Sequence, residues 1–380
     1  MFPDSVRDGD RIPVTVLTGF LGSGKTTVLN HLVRQPEMDR TLVVINEFGS
    51  VGLDHELIER SNEDLVVEMM GGCLCCTISG DLLKTLREAT WRFVRDDEMM
   101  FDRVVIETTG LADPAPILHT LMTDIVLHSR YELRGVVSTV DAANGLQTLA
   151  AHEESIKQVA VADHILLTKT DIAEPEETAC LRKRLQNLNP GAAIETVDQG
   201  QVKASDLFSI GLFDPTRKTA DVEAWLNVEA YRDLTKSDSH GHGHHHHDHD
   251  HSHDDVNRHD ERIRAVCVTF DEPLNDLAFD RWISVLTTFT GENLLRLKAI
   301  VNIEGVGRPM VLHAVQHIMH MPTELDAWPS EDRRTRMVLI VRDMSDEDLR
   351  ATLKLLTEGV GKYRFEGLPF ASADKVADNG

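Results

Sequence analysis

The run Gly19-Phe-Leu-Gly22-Ser23-Gly24-Lys25-Thr26, followed by Thr27, leaves little freedom about what surrounds it. Before it stands the β-branched stretch Pro13-Val-Thr-Val-Leu-Thr18, and after it the helical pattern Val28-Leu-Asn-His-Leu-Val-Arg34. Strand, glycine-rich turn and helix thus follow in the order of a phosphate-binding loop. Glycines let successive backbone N–H groups curl around phosphate oxygens, and the helix N-terminus adds a favourable dipole. Gly19, Gly22, Ser23, Gly24 and Thr27 then surround the phosphates. Lys25 reaches the terminal ones, and the Thr26 hydroxyl takes a magnesium ion. Such a turn belongs to an α/β nucleotide hydrolase of the P-loop kind.

The rest of the first half agrees. Thr41-Leu-Val-Val-Ile45, Arg103-Val-Val-Ile-Glu107, Gly135-Val-Val-Ser-Thr-Val140 and His164-Ile-Leu-Leu-Thr168 alternate with amphipathic stretches, which predicts a mostly parallel sheet with crossover helices. Near 214–260 the pattern breaks into polar, histidine-rich sequence of low complexity. Order resumes with the strand pattern Arg262–Phe270, a helical stretch over Leu274–Phe289, strands through about 316 and again at 336–342, and a helix near 345–357. This predicts a smaller α+β domain. The expected division is therefore 1–213 for the nucleotide domain, 214–260 for a linker and 261–380 for the second domain. With 380 residues, 41% of them hydrophobic, the chain can supply two cores.

A net charge of −24 repels phosphate backbones and anionic membranes, so nucleic acid and lipid surfaces are not expected partners. No stretch approaches a signal peptide or a membrane span, and a cytoplasmic location is expected. Nothing sets the oligomeric state.

Two further elements complete a nucleotide site. Val104-Val-Ile-Glu107-Thr-Thr-Gly110 ends a strand with an acid that can hold magnesium through water or orient the attacking water, and Gly110 allows close approach to the γ-phosphate. Thr168-Lys169-Thr-Asp171, also at a strand end, is a variant of the Asn-Lys-x-Asp guanine signature. Asp171 can accept both N–H groups of guanine's Watson–Crick edge, and the Lys169 stem can lie on the ring face. Thr168 in place of Asn leaves fewer guanine contacts. GTP is therefore the expected nucleotide. The sequence shows no clear arginine finger or water-positioning glutamine, which predicts slow intrinsic turnover.

Gly71-Gly72-Cys73-Leu74-Cys75-Cys76 is the most unusual run, holding three of the five cysteines in four positions. Cys73, Cys75 and Cys76 offer soft thiolates suited to zinc, with cobalt a competitor for the same donors and one tetrahedral position left for another ligand. A helix starting near Ser79 would lower their pKa. A redox role for Cys75 and Cys76 remains an alternative, against which stand the strain of a vicinal disulfide and a reducing compartment. Cys180 and Cys267 read as core residues. His240, His242, His244, His245, His246, His247, His249, His251 and His253 form overlapping weak imidazole sites, read as an auxiliary metal antenna. His313, His317 and His320 have spacing that would share one helical face, read as packing or an interface.

Taken together, Thr18–Thr27, Asn46-Glu47-Phe-Gly49, Gly72–Cys76, Glu107-Thr-Thr-Gly-Leu-Ala-Asp-Pro114 and Thr168–Asp171 resemble the CobW family of metal-handling P-loop GTPases over nearly the whole chain. The resemblance implies a metallochaperone in which GTP and metal binding are coupled and the metal goes to a client metalloprotein. Zinc, cobalt for cobalamin synthesis, or a cobalt or iron enzyme such as nitrile hydratase are the destinations it leaves open. It assigns phosphate contacts to the glycine-rich run, magnesium chemistry to Glu107, base recognition to Lys169 and Asp171, and metal to the three clustered cysteines. One departure is Ser50, where the family often carries a second Glu; Glu47 remains as a switch or metal-side residue. The span from Asn46 to Cys76 is the expected switch. Nucleotide-regulated metal storage or sensing, and a metal-independent ATPase or kinase, are the competing readings.

Overall fold

A computed structural model describes residues 11–45, 66–68, 76–96, 98–209, 262–289, 293–316, 318–319, 322–357 and 363–367. Within the first half lie β1 (Ile12–Gly19), α1 (Lys25–Leu32), β2 (Thr41–Ile45), β3 (Val66–Glu68), α2 (Cys76–Arg92), a small hairpin of β4 (Val94–Arg95) and β5 (Glu98–Met99), and β6 (Arg103–Glu107). There follow α3 (Ala115–Thr123), α4 (Ile125–Arg130), β7 (Tyr131–Asp141), α5 (Gly145–Ala151), α6 (Glu153–Val161), β8 (His164–Thr168), α7 (Pro175–Leu188), β9 (Ala193–Thr196) and α8 (Ala204–Ser209).

Seven of these strands form one sheet in the order β3-β2-β6-β1-β7-β8-β9, every neighbouring pair parallel. The expected parallel sheet is thus present, extended by β3 and β9 at its two edges. Helices cover both faces, which is why the strands read as unbroken apolar runs. Alternate residues go to opposite layers: Val14, Val16, Val104 and Ile106 pack with Leu82, Leu86, Ile117 and Leu121, while Leu17, Val105 and Val137 pack with Val28, Leu29 and Leu32. Parallel order brings the carboxyl ends of all seven strands to one edge, where ligands bind in open sheets of this kind.

The second half builds an antiparallel sheet from β10 (Ile263–Phe270), β11 (Leu294–Val301), β12 (Met310–Val315), β13 (Ile318–Met319), β14 (Thr323–Glu324), β15 (Thr335–Arg342) and β16 (Tyr363–Gly367). Its order is β13-β12-β11-β15-β10-β16, with β14 pairing β12. Two helices, α9 (Asp276–Phe289) and α10 (Asp346–Thr357), cover one face through Phe279, Trp282, Leu286, Leu349 and Leu353. The other face, carrying Ala265, Cys267, Leu295, Ile300 and Ile340, packs in one cluster with Leu149, Ile156, Leu181 and Leu185 of α5–α7. Burial on both faces explains why β10 and β11 are buried along their whole length although antiparallel strands commonly alternate.

That junction also holds a buried ion triad. Asp163, between α6 and β8, pairs with Arg296 and with Lys298 Nζ (3.1 Å), and its other oxygen accepts from the Val136 amide (3.0 Å). Arg296 donates as well to the Val161 carbonyl. Burial and Arg296 push the Lys298 ammonium down to about 8, against the pull of Asp163. Burial alone would raise the Asp163 pKa, but the two cations outweigh it and hold the carboxyl below its ordinary value.

Three expectations are corrected. Cys180, expected in the core, is exposed on α7, whereas Cys267 is buried in β10 as read. His313 lies in β12, buried between strand neighbours, so its four-residue spacing to His317 is no helical face; the adjacent Val311, Leu312, Ala314 and Val315 are apolar on both sides, which favours a strand over a helix stripe. His317 and His320 lie outside the described residues. Finally, α2 starts at Cys76 itself, three residues earlier than the start near Ser79.

Candidate nucleotide site

β1 runs straight into the glycine-rich turn. Gly19, Gly22 and Gly24 adopt φ of 140°, 73° and 95°, the region in which an L side chain is strained, and Gly24 caps α1 with its carbonyl accepting from the Val28 amide at 3.0 Å. Lys25 is buried, and its ammonium donates to the carbonyls of Gly19 (3.0 Å) and Phe20 (3.2 Å), which draws it across the loop. Ser23 Oγ sits 2.6 Å from Thr139 Oγ1 on β7. The loop is thereby tied to the neighbouring strand as well as to its own helix.

Glu107 and Thr26 meet. β6 lies beside β1 in a register that pairs Glu107 with Leu17, and the buried carboxylate accepts from the Thr26 hydroxyl at 3.1 Å. Two hard oxygen donors from the phosphate loop and the adjacent strand end suit a magnesium ion better than a softer metal. Beyond Glu107, Thr108 donates to Thr18 Oγ1 (2.8 Å), and its amide bonds the Leu17 carbonyl (2.9 Å). Gly110 lies so close to the phosphate loop that a Cβ there would stand 2.6 Å from both Leu21 Cα and Leu21 N. Only glycine permits that approach.

Side chains from distant parts of the chain, Gln158, Lys157 and Gln316, hold this segment. Gln158 of α6 donates to the carbonyls of Gly110 (3.3 Å) and Ala112 (3.0 Å). Asp113 accepts from the Ala115 amide (2.9 Å) and pairs with Lys157 (3.0 Å), and the Gln316 amide of the second domain reaches the same carboxylate at 3.5 Å. The stretch after Glu107 is therefore gripped from both domains. Its residue types gave no signal, because a glutamine and a lysine on an amphipathic helix look like ordinary surface.

The guanine-type element stands at the end of β8. Thr168 does not face outward as a base ligand would; its buried hydroxyl donates to the Ser23 carbonyl (2.7 Å), with the Val140 carbonyl at 3.2 Å. The Asn-to-Thr change is thus an anchor for the phosphate loop. Lys169 follows with φ 57°, and its ammonium lies 2.8 Å from Asp141 Oδ2 at the end of β7. Asp171 is exposed. A cavity of about 260 Å³ beside the phosphate loop is lined by Phe20, Gly22, Ser23, Asp141, Thr148 and Lys169, among others. One close packing contact had no signal in the sequence: the turn after β9, where Gln201 N bonds the Asp198 carbonyl (2.8 Å), brings Gly200 (φ 79°) so near α1 that a Cβ would meet the Thr27 carbonyl at 2.7 Å.

Glu47, Cys73, Cys75 and the histidines from His240 to His253 lie outside the described residues. Cys76 opens α2. Among the described residues no group of three His, Cys, Asp or Glu converges on a point, so a transition-metal reading rests on the cysteine run. Among them, too, no helix is long and apolar enough to cross a membrane.

Residues 13–196 match the family described as CobW/HypB/UreG, nucleotide-binding domain, and residues 263–356 match the cobalamin synthesis protein CobW C-terminal domain. The chain is 31% identical over 341 residues to the zinc chaperone YjiA of Escherichia coli (strain K12), covering 90% of this chain and 97% of that protein. It is 34% identical over 200 residues to the zinc-regulated GTPase metalloprotein activator 1 of Schizosaccharomyces pombe, covering 51% and 47%. Among solved structures, Zn(II)-bound YjiA GTPase from E. coli superimposes with a TM-score of 0.63 at 27% identity, covering 92% of this chain and 99% of that one.

Proposed function

Because this chain belongs to the CobW/HypB/UreG family of nucleotide-binding proteins, we propose that it is a GTP-hydrolysing metallochaperone that takes zinc on Cys73, Cys75 and Cys76 and transfers it to a client protein. Relatives named as zinc chaperones and as a zinc-regulated GTPase support the GTPase and the cargo. The three regions 1–213, 214–260 and 261–380 serve as nucleotide unit, linker with a weak metal antenna, and second domain.

One observation carries the reading. Leu17, Glu107, Ile45 and Glu68 pair across β1, β6, β2 and β3 in a single row of the sheet. At roughly 4.8 Å per strand, the row spans about 14 Å. From its one end leaves the phosphate loop, from its middle come Glu107 and the Asn46-Glu47 element, and five residues beyond Glu68 the cysteine run begins. The phosphate loop, Glu107 and the strand that leads in sequence to the cysteine run share one row of one sheet, which supports a switch between them.

The residues divide the work. Lys25, now on the carbonyls of Gly19 and Phe20, lies across the phosphate cradle and is positioned to exchange those carbonyls for phosphate oxygens. Thr26 and Glu107 fit a magnesium ion, which when bound would neutralise charge on the phosphate oxygens. Glu107, buried and hydrogen-bonded, is held where it can orient an attacking water. Exposed Asp171 is available to the two N–H groups of guanine, and the span from Asn46 to Cys76 carries the change from nucleotide to thiolates, with Glu47 as a switch or metal-side residue.

The test is transfer. Protein loaded with one equivalent of zinc is mixed with a fluorescent zinc chelator, with GTP or with GDP. Faster zinc transfer during GTP turnover, lost in Lys25→Ala and absent when Cys75→Ala is loaded alike, supports the proposal. Transfer that is indifferent to nucleotide makes the protein a metal store. A parallel loading with cobalt decides which metal the cycle moves.

A further inference from the structure

We propose that Asp141 is a positioning residue for nucleotide recognition, fixing the Lys169 ammonium so that the lysine stem is presented to the base; this rests on the reading of Thr168–Asp171 as the guanine element. Lys169 is the first residue beyond β8 and takes a left-handed φ of 57°. An L-residue adopts that conformation at a cost, so something must hold it. What holds it is Asp141, whose Oδ2 lies 2.8 Å from Lys169 Nζ.

The carboxylate is itself held by hydrogen bonds. Oδ1 accepts from the amides of Ala143 (2.8 Å) and Asn144 (3.2 Å), and Oδ2 from Asn144 Nδ2 (3.1 Å). The two strand ends are tied by the Ala142 amide on the Thr168 carbonyl at 2.9 Å. Asp141 is 11% exposed in its side chain and Lys169 37%, so the anchor is sheltered while the stem above it remains open. Both residues line the same cavity beside Gly22 and Ser23 of the phosphate loop. Burial would raise the Asp141 pKa, but the bonds from Lys169, Asn144 and Ala143 outweigh it and hold the carboxyl below its ordinary value, so the group is ionised at neutral pH. A lysine with a free head would lose its rotamer freedom on every binding event; one already tethered has little left to lose.

Asp141 also ends a strand and bonds the turn before α5, and a purely structural role must be told apart. Asp141→Asn keeps an oxygen for the Ala143 and Asn144 amides and nearly the same volume, and removes the charge that holds Lys169. The proposal expects roughly ten-fold weaker binding of both GTP and GDP, seen as a raised KM with kcat near wild type, and an unchanged melting temperature. In a Lys169→Ala background the same substitution should have no further effect on affinity, since the group it positions is gone. Wild-type affinity in Asp141→Asn, or full additivity with Lys169→Ala, overturns the proposal. Asp171→Asn separates the two levels: if it leaves the preference for GTP over ATP intact, the guanine reading fails and this inference with it, whereas lost preference beside a silent Asp141→Asn refutes the positioning role alone.

Discussion

Gly110→Ala tests the contact on which the nucleotide site is built. The added Cβ would stand 2.6 Å from two backbone atoms of Leu21 and 3.1 Å from its Cβ, where ordinary contact begins at 3.4 Å. About 0.8 Å of separation (3.4 − 2.6) has to be found, and no rotamer change supplies it because the obstructing atoms are main chain. Retreat of residue 110 is opposed by Gln158, which holds the Gly110 and Ala112 carbonyls, so the phosphate loop is the part that moves. A shift of that size at reacting groups costs roughly 10²-fold. Phosphate release at saturating GTP should therefore fall by about two orders of magnitude, with GDP affinity reduced as well. Thermal unfolding distinguishes this from global damage, and Gly307→Ala, whose Cβ meets nothing within 4 Å, serves as the neutral control. Wild-type turnover in a folded Gly110→Ala protein would refute the reasoning.

Thr168→Val removes a hydroxyl and leaves the Ser23 carbonyl without its 2.7 Å donor. That should cost about 1–3 kcal/mol, read as a lowered melting temperature together with weaker GTP binding, while Thr168→Ser should behave as wild type. Asp163→Asn leaves Arg296 and Lys298 buried beside a neutral amide. Loss of about 3–5 kcal/mol is expected, measured by denaturant unfolding of the full chain. Asp163 has a folded pKa below the ordinary value of 3.8, so its contribution is whole above pH 3.8 and disappears as the pH falls through the depressed folded value. The stability gap between wild type and Asp163→Asn should accordingly close in acid, and it should also narrow as the pH rises towards 8, because losing Asp163 pushes the Lys298 pKa further down.

What the residues alone made legible was whatever is local. The glycine-rich turn, the strand ending in Glu107 and the Thr168–Asp171 element each sit in a short run whose order announces its geometry, and in the structure all three meet at one sheet edge. What stayed hidden depends on partners far along the chain. Gly200 matters because β9 lies beside β8 and carries the next turn against Thr27, a closeness no local pattern encodes. Gln158 and Asp113 act across 48 and 203 positions, onto Gly110 and from Gln316. Cys180 was misread for a related reason: a helix pattern shows that one face is buried, but α7 buries Leu181, Leu185 and Leu188, and the cysteine lies one step off that stripe.

The coupling between nucleotide and metal is open to direct titration. Zinc affinity is measured with the protein held by a non-hydrolysable GTP analogue and again with GDP, and the analogue's affinity is measured with and without stoichiometric zinc. A switch running from the phosphate loop to Cys73, Cys75 and Cys76 predicts that the zinc affinities differ, by roughly 5–150-fold. It also predicts that zinc and analogue change each other's binding by one common factor relative to free protein. Equal zinc affinities in the two nucleotide states would contradict it.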